Sequence, residues 1–306
     1  MPQIKVPATS ANLGPGYDTL GLAVSLYNKF KVKKRDDQQL KTKIIDKKEN
    51  KLIKIDNSDN LVVLAYQKYF GFIDQDLKGA EIIEEMHTPL ARGLGSSSSA
   101  IIGGLAAAAV ISGTLISEKD FIQLAVALEK HPDNVVPALT GGLTINFYCN
   151  NNYDYYKIDV DQNLDFILVV PDFELKTEKL RQVLPQKIDY PSAIFNLGRI
   201  SLLTAAFINK EYQLLKTAME DQLHQPFRKK LIKGFDQVLK TAYDSGAYGV
   251  ALSGAGPTIL ACTGENSEII AENMKTVFES NSINTDVYKV KACNQSLYQV
   301  LKEEIS

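Results

Sequence analysis

PLARGLGSSSSA, Pro89 to Ala100, sets two glycines and four consecutive serines at the head of an apolar run. Gly93 and Gly95 allow a tight turn and a close approach of the backbone to a ligand. The serines open a predicted helix over Ser96 to Ser112, where hydroxyls and free backbone N–H groups meet the positive end of the helix dipole. This combination is an anion site suited to the phosphates of a nucleotide. It is not a Walker A loop, because no Lys–Ser/Thr pair follows the glycines. Nor is it a dinucleotide fingerprint, because Ser98 stands where the third glycine is needed. A single serine would serve as a helix cap; four in a row exceed what capping uses.

Around this loop lies an ordinary folded chain of 306 residues, 45% apolar and 23% charged. That length suits two domains or one large α/β domain. A net charge of −2 supplies no global field that would recruit nucleic acid or a membrane surface. Cys149, Cys262 and Cys293 are too widely spaced for a disulfide framework or zinc ribbon and read as reduced thiols in or near the core. His87, His131 and His224 show no metal-site spacing. MPQIKVPATS lacks the layout of a signal peptide, and Ile101 to Ile116 is interrupted by glycine, serine and threonine, so it reads as a buried helix. A cytoplasmic protein is expected, and a homodimer is compatible with these features.

Lys29 to Lys54 holds eleven Lys or Arg against four Asp or Glu. Its apolar and charged residues alternate on either side of RDDQQ, which predicts a hairpin with one solvated face. Helices are expected over 61–70, 120–128, 191–209, 210–224, 231–245 and 267–280, and strands over 143–148, 166–170, 248–252, 258–263 and 286–290. This interspersion predicts two α+β layers, with a boundary near 155–165.

Three further segments carry polar residues in glycine-rich settings. SANLGPGYDTLGLA places Asn12, Gly14, Gly16 and Asp18 between two strand-like runs; LSGAGPTILA is another glycine loop between strands; LEKHPDNVVPALTGG supplies Glu129, His131, Asp133 and Asn134. Read alone, HPDN is equally a helix stop, since Pro132 restricts the residue before it.

In this order the four segments resemble the GHMP kinases, ATP-dependent kinases acting on galactose, homoserine, mevalonate and phosphomevalonate. The resemblance spans nearly the whole chain, and within the family it points to the branch acting on L-homoserine through SANLGPGYDTLGLA, HPDN with VVPALTGG, FNLGR and LHQPFRKKLIKGF. It implies an α+β fold of two domains, an N-terminal α/β nucleotide-binding domain (1–160) and a C-terminal ferredoxin-like α+β domain (161–306). It implies ATP and Mg²⁺, with the phosphates wrapped by Pro89, Leu90, Ala91, Arg92, Gly93, Leu94, Gly95, Ser96, Ser97, Ser98 and Ser99. The hydroxyl of Ser97 or Ser98 would stand near the metal, Glu129 would be its acidic ligand, and Asn60 to Val63 would lie along the adenine. Asn12, Asp18, His131 and Asn134 would contact the hydroxyl and amino end of homoserine, and Arg199 and Arg228 its carboxylate.

The resemblance sets Asn134, rather than the aspartate base of several members, beside the hydroxyl. Direct attack without a strong base is implied, with Asp133 next door leaving the point open. The chain departs from the pattern at Lys130, where a small residue is commoner, and at Ala255, often serine. A mevalonate-type kinase and a non-catalytic binding protein of the same fold are the alternatives.

Overall fold

The computed structural model describes residues 2–175 and 177–305, leaving aside the side chains of 177–179. Two strands open the chain, β1 (Gln3–Ala11) and the long β2 (Leu20–Lys34). They pair antiparallel, with Ala11 opposite Gly21 and Gln3 opposite Lys31, so SANLGPGYDT is the loop between them. β3 (Leu40–Asp46) and β4 (Lys51–Ile53) follow, then helix α1 (Leu61–Phe72) and β5 (Ala80–Met86). The expected hairpin within 29–54 does not form. β5 inserts between β2 and β3, antiparallel to the first and parallel to the second. Period-two alternation is all that the local sequence offers, and β5 satisfies both edges with its own alternation.

Helices α2 (Ser96–Ser112), α3 (Glu118–Glu129) and α4 (Pro132–Thr140) cover one face of this sheet, which β6 (Leu143–Cys149) and β7 (Asn152–Ile158) complete in the order β4-β3-β5-β2-β6-β7. Ala106 to Ala109 of α2 are fully buried, and its small side chains let it lie against α1 and the sheet. HPDN is both a stop and a start. Lys130 ends α3 in the left-handed conformation (φ 75°), and Pro132 takes the first turn of α4, where its missing N–H has no partner to lose.

A second sheet contains β8 (Asp165–Pro171), β9 (Gly249–Leu252), β10 (Ile259–Thr263) and β11 (Thr285–Val290) in the order β11-β8-β10-β9, all antiparallel. With α10 (Ser267–Ser280) between β10 and β11, this is the expected ferredoxin-like arrangement. Between β8 and β9 run α5 (Thr177–Gln182), α6 (Tyr190–Asn209), α7 (Leu215–Ala218), α8 (Gln225–Arg228) and α9 (Phe235–Asp244). The expected helix over 210–224 is broken. Asp221 accepts the backbone N–H groups of Leu223, His224 and Gln225, which fixes a turn there instead. The last helix, α11 (Leu297–Ile305), returns to the first unit, burying Leu297 and Leu301 among the residues of α2 and α4. Of the cysteines, Cys262 and Cys293 are buried and Cys149 is exposed, and all three are free.

Candidate active site

Where the two units meet, a cleft of about 400 Å³ runs past the loop before α2. The loop is held in place from the second unit. Ser253 donates its hydroxyl to the carbonyl of Gly93 (2.6 Å), and a Cβ on Gly93 would fall 2.3 Å from the Ser253 carbonyl oxygen. Gly95 caps α2 in the left-handed conformation (φ 66°) with no side-chain cap, which leaves the first N–H groups of the helix to a ligand. A Cβ there would strike the Thr9 hydroxyl at 2.0 Å.

Leu90, Ala91, Arg92, Gly93, Gly95, Ser96 and Ser97 line the cleft. Leu94 is buried in the core, Pro89 stands outside, and Ser98 and Ser99 are buried behind the helix end. Ser99 accepts from Asn28 (3.1 Å) and so belongs to the scaffold. The serine run therefore divides, with its first half facing the cleft and its second half inside the fold.

Ser97 donates to a Glu129 carboxylate oxygen at 2.6 Å. Burial pushes the Glu129 carboxyl above its ordinary range, against the pull of the Ser97 and Ser98 hydroxyls, so this acid lacks a compensating cation. Lys130 beside it is exposed and does not line the cleft. Among the described residues no group of three acidic, histidine or cysteine side chains surrounds a metal-sized space. A magnesium site does not need one, because this cation commonly takes one or two carboxylates, phosphate oxygens and water.

One end of the cleft is an apolar slot made by Ile44, Ile53, Ile55, Leu61, Met86 and Leu90, with Asn60 and Glu84 in its wall. The Asn60 side chain caps α1 through the Val62 N–H and donates to Thr42 (both 3.0 Å).

The other end gathers polar side chains from distant segments. Asp18 receives a two-pronged ion pair from Arg181, at 2.9 and 3.2 Å, and Arg181 also donates to the Tyr17 hydroxyl at 2.8 Å. Asn12 holds the loop, accepting from the Asp18 N–H and donating to the Gly254 carbonyl. Thr9 donates to Asn134 Oδ1 at 2.8 Å and orients that amide. Burial, reinforced by Asp18, pushes the Asp133 carboxyl up to about 7. Burial, helped by Arg181, holds His131 below its ordinary value, so it faces the cleft neutral at pH 7.

Arg228 is 2% exposed and donates to the carbonyls of Leu180 and Gly254, and towards His224 Nδ1, all at 3.2 Å. His224 Nε2 lies 2.8 Å from the Gly14 carbonyl and donates to it, so Nδ1 is left free to accept. Among the described residues no carboxylate pairs with Arg228. Arg199, the expected partner of Arg228, is elsewhere. It lies over Phe195 and pairs with Glu220 at 2.7 Å on the outside of α6, and it does not line the cleft. Arg181 instead lines the cleft with Arg228. Nothing in TEKLRQ marks that arginine from sequence alone, and Thr9 likewise carries no local signal beyond its place in β1.

Comparison with known proteins shows the family to which the chain belongs. The family description "GHMP kinases N terminal domain" matches residues 59–142, and "GHMP kinases C terminal" matches 203–280. A homoserine kinase of Halothermothrix orenii is 45% identical over 96% of this chain and 94% of its own length. One from Clostridium botulinum is 42% identical over 96% and 97%. The crystal structure of homoserine kinase from Cytophaga hutchinsonii superposes with a TM-score of 0.88 at 30% identity, covering 96% of this chain and 95% of that one.

Proposed function

We propose that this chain, which belongs to the GHMP kinase family and is a kinase, transfers the γ-phosphoryl group of ATP to the hydroxyl of L-homoserine. The observation that carries the choice of acceptor is Arg228. A guanidinium that is almost fully buried, faces a cleft and pairs with no carboxylate among the described residues is costly unless a ligand anion completes it. The Asp18–Arg181 pair beside it offers an acid for an ammonium group and a second guanidinium for a carboxylate. An amino acid alcohol presents both charges; mevalonate presents the carboxylate but no ammonium group for Asp18.

The phosphates lie against the N-terminus of α2 and the glycine loop. Mg²⁺ suits the hard oxygens of Glu129 and Ser97 and would be held by them; when bound it neutralises charge developing on the transferred group. Asn134, fixed by Thr9, orients the acceptor hydroxyl. The bond from that oxygen to the γ-phosphorus forms as the bond to the β–γ bridging oxygen breaks, and ADP leaves. Because such transition states are loose, the hydroxyl proton departs late, to an oxygen of the transferred phosphoryl group, and no strong base is required beside Asn134.

A coupled ADP-release assay across homoserine, mevalonate, galactose and shikimate tests the reading. Homoserine is expected to give the highest kcat/KM. Faster turnover of mevalonate would reject the acceptor while leaving the kinase reading intact.

A further inference from the structure

The apolar slot contains one group that the proposed reaction does not use. Glu84 sits on β5 between Phe30 of β2 and Ile44 of β3, on the face buried against the helices. It is 2% exposed, lines the cleft, and makes no hydrogen bond or ion pair among the described residues. We propose that Glu84 hydrogen-bonds the base of the nucleotide and gives the site its preference for a 6-aminopurine. This rests on the reading of the cleft as an ATP site.

A buried carboxyl without a partner costs several kcal/mol if charged and less, though still substantially, if neutral. Here burial alone pushes its pKa up to about 8, so at pH 7 it carries an O–H donor beside a C=O acceptor. Adenine presents the complement, an amino donor at C6 beside a ring nitrogen acceptor. The flanking strands offer Phe30 and Ile44, α2 offers Ala100, α1 offers Leu61 with its cap Asn60, and Asp59 is the other acid on this part of the wall. No cation in that set would ionise Glu84. The amide of Asn60 gives one of its two N–H groups to Thr42 and one oxygen lone pair to the Val62 N–H, and Asp59 is exposed, which leaves Glu84 as the buried side chain in the slot with no hydrogen-bond partner among the described residues.

Calorimetry of wild type, Glu84→Leu and Glu84→Gln with a non-hydrolysable ATP analogue, and with the matching purine riboside nucleotide that lacks the 6-amino group, tests this. Glu84→Leu is expected to weaken the adenine nucleotide about ten- to hundredfold, the scale of a buried polar group left unpaired, and the nucleotide without the amino group much less. Glu84→Gln, which keeps a donor beside an acceptor, should restore most of the loss. Wild-type affinity should fall as pH rises above about 8, where ionisation replaces the donor by a second acceptor, and that fall should be missing in Glu84→Gln. Equal losses for both nucleotides, or no loss for either, would overturn the role of Glu84. A wild type that binds neither nucleotide would overturn the ATP reading as well.

Discussion

The two ends of the cleft that handle charge do so by different means. At the phosphate end the groups presented are mainly backbone, the uncapped N-terminus of α2 and a glycine loop clamped by Ser253. At the acceptor end they are side chains, brought by the β1–β2 loop, α4, α5 and α8. Backbone donors survive every substitution except by proline and are otherwise disturbed only through shape, whereas a guanidinium can be deleted outright. Variants at the first end should therefore alter turnover or nucleotide binding whatever the acceptor is, and variants at the second should alter the acceptor alone.

The largest effect is expected where the ends meet. Glu129 touches Ser97 and is the acid nearest the phosphate loop. Glu129→Gln preserves shape and removes charge, and kcat should fall by about 10² or more, the scale of a lost electrostatic contribution to the transition state. Steady-state kinetics at several Mg²⁺ concentrations check this. Near-normal turnover at saturating Mg²⁺ would assign the metal to another group, Asp133 first.

The same contrast explains what could be read from the sequence. PLARGLGSSSSA is contiguous, so its glycines, serines and following helix announce the phosphate end together. Even there, periodicity did not tell which serines turn inward; Ser99 is buried beside Asn28, a residue 71 positions away. The acceptor end is assembled by tertiary structure. Arg181 meets Asp18 across 163 positions, and no local pattern distinguishes it from Arg199. Asp18, His131, Asn134 and Arg228 do reach the cleft, while Asn12, though in its wall, spends its amide on the loop. In the fold, long amphipathic or apolar helices such as α2 and α10 were legible, whereas β5 was not, because its pairing with β2 and β3 is non-local.

Deletion of charge at the acceptor end sharpens the comparison. Arg228→Met keeps an unbranched apolar stem and removes the guanidinium. The KM for homoserine should rise at least about thirtyfold, since a buried carboxylate that loses its partner costs about 2–5 kcal/mol. The KM for ATP should move little, because the phosphate end does not depend on this side chain. A cooperative melting curve distinguishes the variant from an unfolded one. Equal rises in both KM values would break the division between the two ends.

The smallest effect is expected at Arg199, and it is the most discriminating. Its guanidinium stacks 4.2 Å from the Phe195 ring and pairs with Glu220, a partner whose side chain is 52% exposed. Ion pairs so open to water contribute about 0–1 kcal/mol, because solvent screens them and ordering two long side chains offsets the attraction. Arg199→Ala should therefore leave the KM for homoserine within about twofold of wild type, with at most a slight loss of stability. Arg181→Ala removes a half-buried guanidinium that holds Asp18 in the cleft and should raise the same KM by at least about fivefold, on the scale of about 1–3 kcal/mol for a partly buried carboxylate left without its partner. The two variants differ in nothing but which arginine is lost, so measuring them side by side compares chain position with spatial position directly. A large effect at Arg199 with none at Arg181 would mean that α6, and not α5, forms the acceptor wall when substrate is bound.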